Sequence, residues 1–167
     1  ATVVTAAGYQ RIRDESITPT VEGMGDAGRP YTGFLYAGLM ISPQGAPKVI
    51  EYNCRFGDPE TQPILMRLQS DLAGLCLAAL DGKLDQTEIQ WDPRPTLGVV
   101  MAAGGYPDSY NKGDVIDGLD QADSDTVKVF HAGTAEKDGQ VVTSGGRVLC
   151  VTGVGDTVGE AQANAYE

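Results

Sequence analysis

The segment VIEYNCRFGDPETQP, from Val49 to Pro63, begins as a hydrophobic strand and runs directly into a turn rich in charged residues. A β-strand points alternate side chains to the same face, so Glu51, Asn53 and Arg55 are expected to share one side. The opposite face then offers apolar side chains for packing, from Tyr52, Cys54 and Phe56. The segment therefore predicts a strand with one packed face and one face that carries an acid, an amide and a cation.

Two interpretations of the polar face follow. Half-buried sheets commonly turn a polar face to water, which would make Glu51, Asn53 and Arg55 ordinary surface residues. However, a carboxylate and an amide oxygen beside a fixed cation also suit Mg²⁺ bound to phosphate, since Mg²⁺ takes few protein oxygens and keeps waters. Gly57 and Pro59 then specify a rigid turn directly after the strand. So many charged and polar side chains in one strand and the turn after it favour the metal-phosphate interpretation.

The composition is that of a globular protein of 167 residues, long enough for one domain or two small ones. Its 12 Lys and Arg residues against 23 Asp and Glu residues give a net charge of -11. Binding to nucleic acid needs clustered cations, so we expect no nucleic-acid partner. No apolar run approaches the roughly 20 residues of a membrane span, so we expect no membrane partner either.

The three cysteines, Cys54, Cys76 and Cys150, lie far apart in apolar runs, which predicts buried, reduced thiols and a cytoplasmic location. The N-terminus lacks the pattern of a secretory signal. It also lacks an initiator Met, and the chain stops within a predicted helix. We therefore expect both ends to lie inside a longer protein.

The first half of the chain predicts helices packed with an antiparallel hairpin. A helix is expected from Ala6 to a glycine-rich stop at residues 23–28, with an interruption at Pro19. YTGFLYAGLMI and KVIEYNCRF form the hairpin around the turn SPQGAP. Residues 61–84 predict one amphipathic helix that ends at Gly82.

The second half of the chain predicts a small β-rich domain. The polar stretch DQTEIQWDPRPT, residues 85–96 with two prolines, contains the candidate linker at residues 86–96. Short Val-rich strands separated by Gly/Asp turns follow it, and a last helix begins at Asp156 or Thr157, with Glu160 in capping-box position. We predict an α+β fold with domains at residues 1–85 and 97–167, the second truncated at its end.

Several stretches, taken in this order, resemble the glycinamide ribonucleotide synthetase family, also called phosphoribosylamine–glycine ligases. They are YTGFLYAGLM, EYNCRFGDPETQP, LGVVMAAGGYP, FHAGT and GGRVLCVTGVG, and RFGDPE is a specific family signature. The resemblance implies an ATP-grasp enzyme of purine biosynthesis that joins glycine to 5-phosphoribosylamine through a glycyl phosphate. It implies the second half of the ATP-grasp core followed by the C-terminal domain, with an N-terminal part missing and this piece inactive alone.

The resemblance also implies roles for single residues. Glu51 and Asn53 match the family's ligands for Mg²⁺ (or Mn²⁺), and Arg55 matches a catalytic cation directed at the phosphates of ATP. Asp58 is expected to be catalytic, either by holding the glycine ammonium or by orienting Arg55. For Glu60 a helix-capping role is an equal alternative. Many ATP-grasp enzymes carry another acid on the preceding strand, whereas GFLYAGLMI has none.

In the second domain, Gly145, Gly146 and Arg147 are the candidate substrate-binding residues. Two glycines allow a close backbone approach to an anion and the arginine supplies charge, although a tight hairpin with a surface arginine fits equally well. AAGGYP has a similar glycine pair without a cation and predicts a turn. His131, the chain's one histidine, is more often structural in such a setting.

Two other functions remain open from the sequence. Another ATP-grasp ligase that joins a different carboxylate and amine would share the strand and the turn. A folded fragment without catalytic activity of its own would share every motif.

Overall fold

The structure is a computed structural model that describes residues 4–167. Its contacts divide the chain into two compact units. The first comprises the residues up to Gly57 together with Ala73–Thr87, and the second comprises Asp58–Leu72 together with Glu88–Glu167. The signature segment, which runs from Val49 to Pro63 and contains RFGDPE, is therefore shared between the two units, because the division falls between Gly57 and Asp58.

The first unit begins with the predicted helix, which runs unbroken from Ala6 to Asp26. It consists of α1 (Ala6–Ile12), a π-helical turn (Arg13–Ile17) and α2 (Thr18–Asp26). The side chain of Thr5 caps α1 by accepting from the Gly8 N–H at 3.1 Å. Proline removes a helical N–H and crowds the preceding turn, so the wider π-turn just before Pro19 accommodates it without a break.

The predicted hairpin is confirmed. β1 (Tyr36–Ile41) pairs antiparallel with β2 (Pro47–Asn53), and the connecting turn is held by the Ala46 N–H donating to Ser42 Oγ at 3.0 Å. The helical run, residues 6–26, packs on β2, where the Tyr52 hydroxyl donates to the Ser16 carbonyl at 3.1 Å. Ser16 is buried. Among the described residues of this unit, every hydrophobic side chain is at least partly accessible to water.

The prediction of one helix over residues 61–84 is wrong. The structure has two helices, α3 (Thr61–Arg67) and α4 (Leu72–Leu80), and Leu68 between them is extended. The reason is tertiary pairing with the segment that was predicted to be a linker: Leu68 forms a β-bridge with Trp91, and the Gln69 N–H donates to the Gln90 carbonyl at 2.9 Å.

The predicted helix end at Gly82 is confirmed. Gly82 has a φ of 67°, and the Lys83 N–H reaches back to the Ala78 carbonyl at 2.8 Å. This is the glycine-dependent turn that commonly closes a helix. A short 3₁₀ helix, Leu84–Gln86, follows it.

The second unit is built on a three-stranded antiparallel sheet in the order β3-β7-β4. The strands are β3 (Thr96–Ala102), β4 (Val127–His131) and β7 (Arg147–Val154). Six of the eight residues of the central strand β7 are buried. The buried hydrophobic side chains of the described chain all lie in this unit: Val129, Val142, Val148, Leu149, Cys150, Val154, Ala161 and Ala165.

A second hairpin and a short helix complete the β-rich part. β5 (Thr134–Lys137) and β6 (Gln140–Thr143) are joined by Asp138 and Gly139, both with positive φ, which is the favoured chemistry for a two-residue hairpin turn. The helix α5 (Leu119–Ala122) precedes β4. The predicted alternation of short strands with Gly/Asp turns is thus observed.

The predicted last helix is confirmed as α6 (Val158–Tyr166), capped by Thr157. Thr157 Oγ1 accepts from the Glu160 N–H at 3.1 Å, and Glu160 Oε2 accepts from the Asp156 N–H at 2.9 Å, so two free amides at the helix start are satisfied. α6 packs on β3 and β7. Gly153 lets the helix backbone approach, since a Cβ there would overlap the Ala161 carbonyl and lie 2.8 Å from the Ala165 nitrogen.

The α+β class is confirmed, because helices accompany sheets whose strand pairs in the described residues are all antiparallel. The domain boundaries at residues 85 and 97 stay a prediction. Within residues 4–167, no helix combines the length and the apolar character that a membrane crossing requires.

Gly153→Ala should destabilise the second unit by about 3 kcal/mol or more, because the added methyl overpacks rigid backbone rather than a mobile side chain. The free energy of unfolding from urea titration measures this. Gly159→Ala is the matched control on the same helix, where the nearest atom is 3.9 Å from the added Cβ. There alanine should raise stability by about 0.5 kcal/mol. Equal stabilities for the two variants would contradict the close approach of α6.

The hydrogen bonds from Arg94 lower the pKa of the Asp92 carboxyl to about 2, from an ordinary 3.8. Protonation is therefore disfavoured in the folded state, so Asp92 adds stability above a pH of about 4 and this is lost as the pH falls toward 2. A carboxyl NMR titration of Asp92 should have its midpoint near 2, and Arg94→Gln should raise that midpoint toward 3.8. A wild-type midpoint near 3.8 would rule the interaction out.

Candidate functional site

Glu51, Asn53 and Arg55 form a continuous hydrogen-bonded row along one side of β2 and its end. Asn53 Nδ2 donates to Glu51 Oε1 at 3.0 Å, and Arg55 Nη2 donates to Asn53 Oδ1 at 3.3 Å. Arg55 Nη1 also donates to the Phe56 carbonyl at 2.7 Å, which restrains the guanidinium. Glu51 and Arg55 are exposed, so the row is open to a ligand.

The sheet places this row next to a glycine. Gly38 on β1 pairs with Glu51, and a Cβ at Gly38 would lie only 3.1 Å from Glu51 Cγ. The register shifts just after Gly38, so that Ile50 is an extra residue on β2, a β-bulge. A glycine inside a strand often marks such a bulge or a close approach, and this signal in YAGLM could have identified Gly38 from the sequence.

The opposite side of the strand is packed, as its alternation predicts for Tyr52 and Phe56. The Tyr52 hydroxyl lies 2.8 Å from Thr20 Oγ1 as well as bonding Ser16, and Phe56 stacks on Phe34 with ring centroids 3.9 Å apart. Rigid supports on the packed side hold the polar row in place.

The prediction that all three cysteines are buried is wrong. Cys150 is buried and Cys76 is partly buried, but Cys54 is exposed. Cys54 follows the last residue of β2 and interacts with the Tyr31 hydroxyl. Partial loss of water contact raises the pKa of Tyr31 above its ordinary 10.0, and the hydrogen bond with Cys54 raises it further.

The donor set of the row fits a small divalent cation. Glu51 offers a carboxylate oxygen and Asn53 an amide oxygen, both hard ligands of the kind Mg²⁺ prefers. Asn53 Oδ1 accepts from Arg55, so a bound cation would compete with that hydrogen bond. The described residues contain no group of three or more acidic, histidine or cysteine side chains able to hold a metal. Such an ion would therefore draw its remaining ligands from water, phosphate or other residues.

The second half of the signature lies in the second unit and has different partners. Asp58 is held by Arg147, whose Nη2 donates to Asp58 Oδ2 at 2.9 Å. Glu60 is the N-cap residue of α3, and its side chain makes no capping hydrogen bond. Its backbone carbonyl accepts from the Ile64 N–H at 3.2 Å.

The glycines predicted to bind substrate serve a tight crossing of two backbone segments. The N–H groups of Ser144 and Gly145 both donate to the Gly133 carbonyl, at 2.7 and 3.0 Å. A Cβ on Gly146 would be 2.7 Å from Tyr106 Cε2. The predicted role of Gly145, Gly146 and Arg147 in substrate binding stays a prediction. His131 is exposed and its Nδ1 lies 3.0 Å from Thr134 Oγ1.

The second unit contains two cavities that the sequence did not predict. A cleft of about 500 Å³ is lined by Pro63, Ile64, Arg67, Trp91 and Thr96. A small cavity of about 10 Å³ is lined by residues that include Asp58, Gln62, Arg147 and Cys150. Gln62 Oε1 is buried and makes no hydrogen bond within the described part of the chain. No periodicity or motif signals such an unpaired acceptor.

Comparison with known proteins identifies two family models in succession. "Phosphoribosylglycinamide synthetase, ATP-grasp (A) domain" matches residues 1–61, and "Phosphoribosylglycinamide synthetase, C domain" matches residues 96–167. Both matches agree with the resemblance seen in the motifs.

Curated relatives match along the whole chain. A phosphoribosylamine–glycine ligase of Vibrio parahaemolyticus is 65% identical over 167 residues, which is 100% of this chain and 39% of the relative. That of Pseudomonas aeruginosa is 66% identical over 166 residues, covering 99% of this chain and 39% of the relative. The chain thus spans about two fifths of the length of these relatives.

A solved structure has the same fold. The crystal structure of phosphoribosylamine–glycine ligase from Thermotoga maritima superposes with a TM-score of 0.81 at 37% identity. The similarity covers 99% of this chain and 40% of that one. The expected ATP-grasp and C-domain architecture is therefore confirmed.

Gln62→Met should raise the free energy of unfolding by about 1 kcal/mol, because a side chain of similar shape removes a buried acceptor that lacks a partner. Urea denaturation of the variant and the wild type measures the difference. Gln140→Met, at an exposed position of β6, is the control and should change stability by less than about 0.5 kcal/mol. Loss of stability in Gln62→Met alone would mean that Oε1 is bonded in solution.

Proposed function

Because the chain belongs to the phosphoribosylglycinamide synthetase family, we propose that the full-length protein ligates glycine to 5-phosphoribosylamine with ATP. The products are glycinamide ribonucleotide, ADP and phosphate, in purine biosynthesis. The hydrogen-bonded row of Glu51, Asn53 and Arg55 is the observation that carries the proposal. It combines oxygen ligands with a restrained guanidinium on one exposed strand edge, as phosphoryl transfer requires.

The proposed reaction has two steps. A glycine carboxylate oxygen attacks the γ-phosphorus of ATP, the bond to the β,γ-bridging oxygen breaks, and ADP leaves with that electron pair. The amine of phosphoribosylamine then attacks the carbonyl carbon of glycyl phosphate. Phosphate leaves with the C–O electrons, and the nitrogen loses a proton to give the amide.

Glu51 and Asn53 would hold Mg²⁺ (or Mn²⁺), which when bound neutralises phosphate charge. Arg55 would direct its guanidinium at the oxygens of the transferred group, where a planar fork of donors suits a trigonal anion. The Phe56 carbonyl supports this role, because its 2.7 Å hydrogen bond restrains the side chain before ligand arrives. A restrained donor loses less entropy when it binds the reacting group.

Asp58 would act on glycine, since a carboxylate is a natural partner for the glycine ammonium. Its contact with Arg147 supports this role by limiting the orientations that the side chain takes. Gly145 and Gly146 remain predicted binding residues for the sugar phosphate, whereas Arg147, predicted together with them, already donates hydrogen bonds to Asp58. A cytoplasmic location also remains a prediction.

A second candidate applies to the chain by itself: a folded module without catalytic activity. The lack of any buried hydrophobic side chain among the described residues of the first unit favours the absence of activity, because the unit that carries Glu51, Asn53 and Arg55 has no apolar core of its own to hold them. Leu77 and Leu80 of α4 are 65% and 76% exposed, and Ile50 of β2 is 66% exposed. Such apolar surface normally meets a partner, so we propose that the remaining part of the longer enzyme covers it.

Glu51→Gln in the full-length enzyme should lower glycine-dependent ADP release by at least about 100-fold, because a neutral ligand gives up several kcal/mol of charge stabilisation. A coupled ADP assay with circular dichroism as the folding check measures this. Glu136→Gln, an exposed carboxylate on β5, is the control and should keep wild-type turnover. Turnover of Glu51→Gln within about twofold of wild type would remove Glu51 from the site.

A further inference from the structure

The side chain of Arg147 connects the start of β7 to the signature turn, residues 58–60. Arg147 Nη1 donates to the Asp58 carbonyl at 2.8 Å, and Arg147 Nη2 donates to Asp58 Oδ2 at 2.9 Å. One guanidinium therefore binds the backbone and the carboxylate of the same residue, across 89 positions of sequence. Because a guanidinium is planar and rigid, this fork determines the orientation of the carboxylate relative to its own backbone.

The residues that follow Asp58 have independent supports in the same unit. Thr96 Oγ1 donates to the Pro63 carbonyl at 2.7 Å, and Arg67 Nε donates to the Asp92 carbonyl at 3.1 Å. Loss of Arg147 would thus leave α3 anchored. The change would be confined to the turn at Asp58 and the start of α3, before the anchors at Pro63 and Arg67.

Both terminal nitrogens of Arg147 already donate to Asp58, which matters for its predicted contact with substrate. A sugar phosphate bound by the same fork would have to break these hydrogen bonds. The side chains of Arg147 and Asp58 are 38% and 57% exposed, and an ion pair so exposed adds little to stability. The ion pair between Arg147 and Asp58 therefore acts mainly on the geometry of the turn.

We propose that Arg147 is a positioning residue that orients the Asp58 carboxylate for the ligation reaction. The inference rests on the proposed function, because it gives the oriented carboxylate a substrate to meet. It deepens that function by assigning Arg147 to the signature turn rather than to the phosphate of the sugar. Arg147 acts through Asp58, so its effect requires that carboxylate.

A double-mutant cycle in the full-length enzyme tests the coupling. Arg147→Gln should lower kcat by about 10- to 100-fold, the range for supporting residues, and leave KM for 5-phosphoribosylamine within about twofold. Arg147→Gln should then add nothing to the loss caused by Asp58→Asn. A KM raised about tenfold at unchanged kcat, or losses that multiply in the double variant, would overturn the proposal.

Two further variants separate fork geometry from charge. Arg147→Lys keeps the charge but offers one ammonium in place of two fixed donors, so it should resemble Arg147→Gln. Activity near wild type in Arg147→Lys would overturn the proposal. Arg94→Gln removes an exposed arginine that pairs with Asp92, and this control should keep wild-type kcat.

Amide hydrogen exchange gives a readout that does not depend on activity. In full-length Arg147→Gln, exchange at residues 58–62 should accelerate severalfold, whereas exchange in β4 should stay as in the wild type. Unchanged exchange at residues 58–62 would overturn the inference. Absence of glycine-dependent ADP release by the wild-type full-length enzyme would instead defeat the proposed function, and the exchange result would still decide whether Arg147 holds the turn.

Discussion

Antiparallel pairing of β2 with β1 is the constraint on which the candidate site depends. The pairing places Gly38 opposite Glu51 and determines which side chains of β2 share a side. Since a strand alternates its faces, a slip of one residue would turn Glu51 and Asn53 toward the helical run and expose Tyr52. The hydroxyl of Tyr52, bonded to Ser16 and Thr20, opposes such a slip from the packed side.

The two units differ in how they are stabilised. The second buries six of the eight residues of β7 between neighbouring strands and α6, and therefore has a core of its own. The described part of the first unit is a hairpin and helices whose large apolar side chains stay accessible to water. Burial of apolar surface is the main favourable contribution to folding, so the first unit depends on further contacts more than the second does. The chemistry proposed for the strand edge of the first unit would then depend on those further contacts.

The signature segment consists of two parts with separate supports. Up to Gly57 its residues belong to the unit that contains the hairpin. From Asp58 onward they belong to the second unit, where Arg147 binds Asp58 and Thr96 binds the Pro63 carbonyl. A metal-and-phosphate function on the first part and a substrate-orienting function on the second would explain why so much chemistry lies within one short stretch. The two parts are adjacent in sequence because the division between the units falls at the peptide bond between Gly57 and Asp58.

Local pattern determined most of the elements. Alternation along Val49–Phe56 was enough to predict the hairpin and the shared side of Glu51, Asn53 and Arg55, because strand geometry depends on neighbouring residues alone. Cap residues at Gly82 and Thr157 placed two helix ends for the same reason. The motifs also determined the family.

Tertiary structure alone decided what depends on residues distant in sequence. The periodicity of residues 61–84 favoured one helix, but hydrogen bonds to residues 90–92 extend the chain at Leu68, and no local pattern encodes that pairing. The exposure of Cys54, the burial of Gln62 Oε1 and the hydrogen bonds from Arg147 to Asp58 have the same origin. Each depends on how chain segments far apart in sequence pack together, and local patterns of residues do not encode that packing.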